Sequence, residues 1–337
     1  MNEYINFELS EQWYNDRFGT DFSEDFWTDP IRRTESYREL TYQVAKRFPS
    51  LGLGSLEPTP DPKAADQYGH RFVPKLFGCD MVYTRNQAPA CISHDYDFDV
   101  LAELDMPDLA RSDVFKKGLS DAKELKAKYG FVHSAINAGG PVNAAVSIFG
   151  ESFIACCVAE PEIAQHVMMV IAKTIIRLNY EFEDAINPPT IVERRSSGLG
   201  NCPVIMFSPK VYQEVIQPVE LWYRQQFRSF GLHHCGVFDQ YAQVYTALKP
   251  DYMDIGGGSD YKILRKHFPN VGCTFIVNPE LYEGKTTAQI DALVKGIVTD
   301  GGPTEHIIGL HTYSVGKNAT DDNIVDLRTS IVRQGLV

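Results

Sequence analysis

Uninterrupted hydrophobic runs are missing from this chain. No stretch of roughly eighteen consecutive apolar residues occurs, so no membrane-spanning helix is expected. Basic charge is in short supply as well: the 337 residues carry 32 Lys and Arg against 44 Asp and Glu, a formal net charge of -12. Binding to nucleic acid or to an anionic bilayer relies on clustered cations against phosphate, so neither is an expected partner. The N-terminus, MNEYINFELSEQWYNDRF, lacks the basic start and apolar core of a secretory signal, and the cytoplasm is the expected location. Cysteine is scarce. Seven in a chain of 337 are too few, and odd in number, for a disulfide framework. Several catalytic signatures are absent too. There is no G-x-S-x-G elbow for a hydrolase. There is no P-loop and no strand–G-x-G-x-x-G–helix unit, which argues against nicotinamide chemistry.

What the chain does hold is a strand–helix alternation. Residues 1–70 read as an N-terminal helical and loop extension: SYRELTYQVAKRF (36–48) has helical apolar spacing, and the Gly/Pro-rich 50–70 reads as loop. Strands are expected at 131–140, 190–197, 230–236, 252–258, 271–279 and 306–314, with one or two more in 70–105. Helices are expected at 161–186, 208–230 (kinked at Pro218), 241–249, 260–268, 286–300 and 320–334. Such alternation predicts an α/β fold with a parallel sheet under helices. A single (β/α)8 TIM barrel over 71–337 is favoured over an open doubly wound sheet. In a barrel, the polar residues closing each strand converge on one mouth.

The stretch GLHHCGVF (231–238) is the centre of interest. Side chains alternate along a strand, so His233 and Cys235 share a face while His234 takes the other. An imidazole and a thiolate on adjacent pleats suit zinc, although a hydrogen-bonded core histidine beside a buried thiol gives the same letters. Cys273 is a candidate third ligand and His311 its rival. Cys202, in the loop after a strand, is either a mouth residue or a plain loop cysteine. Glu193 reads as an orienting carboxylate or an ion-pair partner of Arg195. The glycines of NAGGPVNAAVSIFGE (137–151) leave backbone N–H groups for a ligand at a helix start, or simply make a turn. Asn137, Gly140, Asp254 and Tyr83 are the candidate substrate-binding residues.

The blocks INAGGPVNAAVSIFGESF, FSPKVYQEVIQPVELWYRQQFRSFGLHHCG, DYMDIGGGSDYKILRKHFPNVGC and HTYSVGKNATDDNI together resemble the uroporphyrinogen decarboxylase superfamily, over roughly residues 70–337. That resemblance implies a (β/α)8 barrel. The Arg-rich substrate loop of the decarboxylases is not found, and the His-x-Cys-Gly block is similar to the zinc-dependent, corrinoid-linked methyltransferases. It implies Zn2+ on His233 and Cys235. The late second cysteine of the thiol-methylating branch has no counterpart, since GLHTYSVG stands there. The resemblance then points to methyltransferase I components of anaerobic O-demethylases. It implies a small methoxylated aromatic substrate and a corrinoid (cobalamin) carried by a separate protein, because no D-x-H-x-x-G motif is present. His311 and Tyr313 are the expected proton donors. Methylcorrinoid:thiol transfer, porphyrinogen decarboxylation and a non-catalytic ligand-binding barrel are the rival readings. A homodimer is compatible with all of them.

Overall fold

The parallel order of the sheet follows from helices long enough to carry the chain back between strands. The computed structural model describes residues 7–134, 136–187 and 196–336. Its strands are β1 (Phe7–Leu9), β2 (Asp80–Thr84), β3 (Gln87–Ile92), β4 (Ser196–Gly200), β5 (Ser229–His234), β6 (Tyr252–Ile255), β7 (Gly272–Ile276) and β8 (Ile307–Val315). Six of them form one sheet in the order β1-β8-β7-β6-β5-β4, all pairs parallel. The sheet curls as a partial barrel. β5 is buried or half-buried at every position, as expected for a strand covered on both faces.

The expected helices at 161–186, 260–268, 286–300 and 320–334 form at Pro161–Ile186, Tyr261–His267, Thr287–Gly301 and Asp321–Arg333. The last two open with capping boxes, Thr286 with Gln289 and Thr320 with Asn323. The segment 208–230 is divided as its proline suggests. A π-helical turn, Tyr212–Ile216, precedes the helix Gln217–Arg224, in which Pro218 has no N–H to donate. The 241–249 segment shortens to a single turn, Ala242–Tyr245, flanked by 3-10 turns.

Three expectations are corrected. The N-terminal extension is part of the sheet, because β1 pairs with β8 at its edge. Residues 70–105 do contain strands, but β2 and β3 pair antiparallel with each other and stay outside the sheet. Among the described residues of 131–140 no strand forms. The segment contributes one parallel bridge, His133 with Lys63, and one backbone bond, Gly200 N–H to Gly139 C=O at 2.6 Å. Its polar and glycine content, with Pro141 beginning the next helix, leaves too few residues for a ladder. The 190–197 strand falls largely outside the described residues, and β4 starts at Ser196.

Although the sequence has no long uninterrupted apolar run, the helix Pro141–Ala159 is the one among the described residues that is long and apolar enough to cross a membrane. Half of it is buried in the protein, and its kink at Gly150 (φ 52°) interrupts the regular geometry.

Backbone contact fixes the loops after β5 and β6. A Cβ on Gly256 would lie 1.8 Å from the Cys235 carbonyl oxygen, so only glycine fits between the two strand ends. Gly296, mid-helix and exposed, has nothing within 4 Å of a built Cβ. We therefore expect Gly256→Ala to lower the melting temperature by more than about 5 °C or to prevent folding, because backbone must move. Gly296→Ala should raise stability by about 0.5–1 kcal/mol through helix propensity. Thermal melts of the two variants beside the parent check both signs; a harmless Gly256→Ala would contradict the packing of these loops.

Candidate metal centre

Register builds the site. Gly200 sits opposite His233, His233 opposite Asp254, and Asp254 opposite Thr274, so these residues share one face of the sheet. Cys202 and Cys235 each follow two residues later on adjacent parallel chains. His233 Nε2 lies 2.8 Å from Cys235 Sγ, and Cys235 Sγ lies 2.8 Å from Cys202 Sγ. The ligand atoms of Cys202, His233 and Cys235 are all within 4.8 Å of one another, and all three residues are half-buried. His234 faces the other way, as strand alternation requires. It is fully buried, with Nδ1 2.9 Å from Tyr245 Oη, and burial lowers its pKa to about 4.

Asp254 organises the other side of the imidazole. Its Oδ2 is 2.6 Å from His233 Nδ1 and accepts a 2.9 Å bond from Tyr313 Oη. Its Oδ1 is 2.8 Å from His311 Nε2, close as an ion pair although off the N–H hydrogen-bond axis. Burial pushes the Asp254 carboxyl up, but the two imidazoles outweigh it and hold it well below the usual carboxylate range. Burial likewise works against charge on His233, yet Asp254 and Cys202 together raise its pKa to about 9. Cys202, accepting from the Cys235 thiol, is lowered to about 4 against the opposing effect of burial, while Cys235 as the donor is pushed far up. The pair thus shares one negative charge beside a cationic imidazole, and a bound cation would take the place of the shared protons.

A bulge follows His311 and includes Tyr313. β1 advances from Phe7 to Leu9 while β8 advances from Thr312 to Val315, an extra residue on β8. Ser314 takes it up with φ 52°, in the left-handed region that a non-glycine residue seldom occupies. The rings of His311 and Tyr313 sit 4.3 Å apart, and that of Tyr313 is 5.6 Å from the His233 ring.

The structure thus gathers His233, Cys235, Asp254, His311 and Tyr313; Asp254, expected as a substrate-binding residue, is hydrogen-bonded to His233 and Tyr313 and lies at ion-pair distance from His311. Cys273 is not gathered. It lies opposite Met253 in register, one residue off the parity of the site, and so faces the helix layer. There it is fully buried, its thiol contacts the Val271 carbonyl at 3.3 Å, and burial raises its pKa to about 11. Cys202, which the sequence left open as a mouth residue or a plain loop cysteine, stands in the group with His233 and Cys235 instead. Gly140 is buried against the Gly200 carbonyl, and its N–H bonds to Ala138; the Gly139 N–H bonds to the Asn137 side chain. The two glycine N–H groups of that loop are therefore engaged within the loop itself, and Asn137 is exposed. Tyr83 lies away from the site, on β2, against the N-terminal aromatic cluster of Phe22, Phe26, Trp27 and Leu40. Glu193 lies outside the described residues.

One carboxylate escaped the sequence reading. Glu220 is fully buried, with Oε2 accepting from Tyr212 Oη at 2.6 Å and from Asn201 Nδ2 at 3.1 Å. Asn201 immediately precedes Cys202, and its N–H bonds to the His233 carbonyl at 2.8 Å. Glu220 therefore braces the turn that presents Cys202. No motif marks it; only the acid on the apolar face of a helix could have been noticed.

Among solved structures, a methyltransferase from Methanosarcina mazei is similar. The two chains match with a TM-score of 0.57 over 98% of this chain and 95% of that one, at 14% sequence identity. At that identity the likeness is one of fold. No family model and no curated protein matches the chain.

Burial pushes the Glu220 carboxyl up to about 7, from a usual value of 4.5. A folded-state pKa above the unfolded one means that the folded protein binds the proton more tightly. Stability is then complete below the unfolded pKa and falls as pH rises toward the folded one, by about 3 kcal/mol in all. Glu220→Gln removes the titration. Urea denaturation between pH 4.5 and 7.5 should show the parent losing about that much relative to the variant, whereas parallel curves would contradict it.

Proposed function

We propose that this chain is a zinc-dependent methyltransferase that takes a methyl group from a methoxylated aromatic compound and passes it to the cobalt(I) corrinoid of a separate protein. The observation that carries the reading is the donor set: one imidazole nitrogen and two sulfurs converging, with the far imidazole nitrogen held by a carboxylate. Three protein ligands with a free position are the usual form of a catalytic zinc site, and a carboxylate–histidine pair behind the metal is its common support. The residues present fit the ion. Cys202, His233 and Cys235 would hold it, and the fold likeness to a methyltransferase agrees with the reaction class. The same reading takes the sheet as part of a closed (β/α)8 barrel, continued past β4 by the Gly200–Gly139 bond and the Lys63–His133 bridge.

When bound, zinc supplies a Lewis acid that stabilises negative charge on the oxygen released from the methyl group. The chain's own residues do the rest. Asp254 keeps a proton on His233 Nδ1, so that Nε2 is offered as a ligand. Tyr313 remains protonated, since burial and Asp254 raise its pKa strongly, and spends its proton on Asp254. His311 is left as the group that delivers a proton to the departing oxygen. A cytoplasmic location, the partner protein and the absence of a nucleic-acid or membrane role all belong to this proposal.

One observation favours a second reading. Cys202 restores a His-Cys-Cys donor set, and two sulfurs on zinc suit a bound thiolate as methyl acceptor. Assay of methoxybenzoates with a cobalt(I) corrinoid, against thiols with a methylated corrinoid, separates the two.

Metal analysis tests both together. About one zinc per chain is expected in the parent and in Cys273→Ser, and little in Cys202→Ser or Cys235→Ser. Asp254→Asn should weaken zinc binding about 10–100-fold. His311→Ala should keep the metal and lose about 100-fold or more in turnover. Zinc loss on changing Cys273, or none on changing Cys202, would overturn the assignment.

A further inference from the structure

The two sulfurs of the site sit in an arrangement that supports chemistry besides metal binding. Cys202 and Cys235 follow residues that face each other in the β4–β5 register, Gly200 and His233. They lie just past the ends of these neighbouring strands, Cys202 opening a 3-10 turn and Cys235 directly following β5. Their Sγ atoms are 2.8 Å apart. That lies between the ~2.05 Å of an S–S bond and the roughly 3.8 Å edge that two Zn–S bonds of ~2.3 Å subtend in a tetrahedron. Small side-chain movements therefore connect the two arrangements. Access is selective as well: Cys79, Cys156, Cys157 and Cys273 are buried, while Cys91, Cys202 and Cys235 are half-buried. The neighbouring Ile205, Met206 and Val237 are exposed, so the rim on this side is open to solvent.

We propose that Cys202 and Cys235 form a reversible oxidation site, which a hydroperoxide closes into a disulfide between the two strand ends. The thiolate of the pair attacks the peroxide, the O–O bond breaks, and a sulfenic acid and an alcohol (water, for hydrogen peroxide) result. The second sulfur displaces the sulfenic oxygen as water, forming the S–S bond. Two thiols and one hydroperoxide thus give one disulfide, one alcohol and one water. A dithiol reductant reverses the step. A disulfide offers neither sulfur as a thiolate ligand, so oxidation and zinc binding exclude each other; this last point rests on the proposed metal site.

Hydrogen peroxide supplied to the chelator-treated chain is the direct test, read by intact mass and peptide mapping. The expected result is a loss of about 2 Da, a linked pair of peptides carrying Cys202 and Cys235, and full recovery with a dithiol. Oxidation that links Cys79 to Cys91 instead, or leaves Cys202 and Cys235 reduced, would overturn the proposal. Cys202→Ser should abolish the linkage, and the mapping of the parent stands even where that variant folds poorly. Repeating the treatment on zinc-loaded protein should slow closure at least about tenfold. Equal rates with and without zinc would sink the metal site while leaving the oxidation site standing.

Discussion

The 2.6 Å contact between Asp254 and His233 is the interaction on which the site depends. It holds a proton on Nδ1 of the ring and turns Nε2 toward Cys235. It also joins three strands, since β5 supplies the imidazole, β6 the carboxylate, and β8 the His311 and Tyr313 side chains gathered on the same carboxylate. Without a buried anion at position 254, the charge on the His233 imidazole would sit in a poorly solvated pocket with little to compensate it. With it, the cluster is electrically coherent before any ligand arrives, which is what an organised metal site requires.

Around that contact the fold works by parity and close approach. In-register pairing places Gly200, His233, Asp254 and Thr274 on one face. The intervening residues, among them His234, Met253 and Cys273, go to the helix layer. Gly256 lets the β6 end pass against the Cys235 carbonyl, and the bulge at Ser314 turns the end of β8. Behind the strands, Glu220 ties the Asn201–Cys202 turn to a helix whose π-helical entry and Pro218 set it against the sheet. Precision at the site thus comes from backbone geometry and from one buried carboxylate in the layer below.

Much of this was legible in the sequence. The alternating strands and helices after residue 200 fall where the apolar periodicity puts them, and the opposite facing of His233 and His234 follows from the two-residue repeat of a strand. The failures have physical causes. Phe7–Leu9 is too short to show a periodicity, so a sheet strand was hidden in the extension. Cys273 sits one residue away from the inward-facing parity, which cannot be counted without knowing where the β7 ladder begins. Cys202 was visible as a mouth candidate, but its pairing with Cys235 depends on the β4–β5 register, a relation between segments 33 residues apart in sequence. Tyr83 belonged to an aromatic cluster that composition alone does not distinguish from a substrate slot. Glu220 carries no motif, because a bracing carboxylate needs only burial and two donors.

X-ray absorption at the zinc edge of the metal-loaded protein tests the central claim most directly. The account predicts a first shell with two sulfurs near 2.3 Å, one imidazole nitrogen near 2.0–2.1 Å and one further light atom, with one sulfur lost in Cys202→Ser and none in Cys273→Ser. A shell of nitrogen and oxygen only, or one whose second sulfur disappears with Cys273, would contradict it.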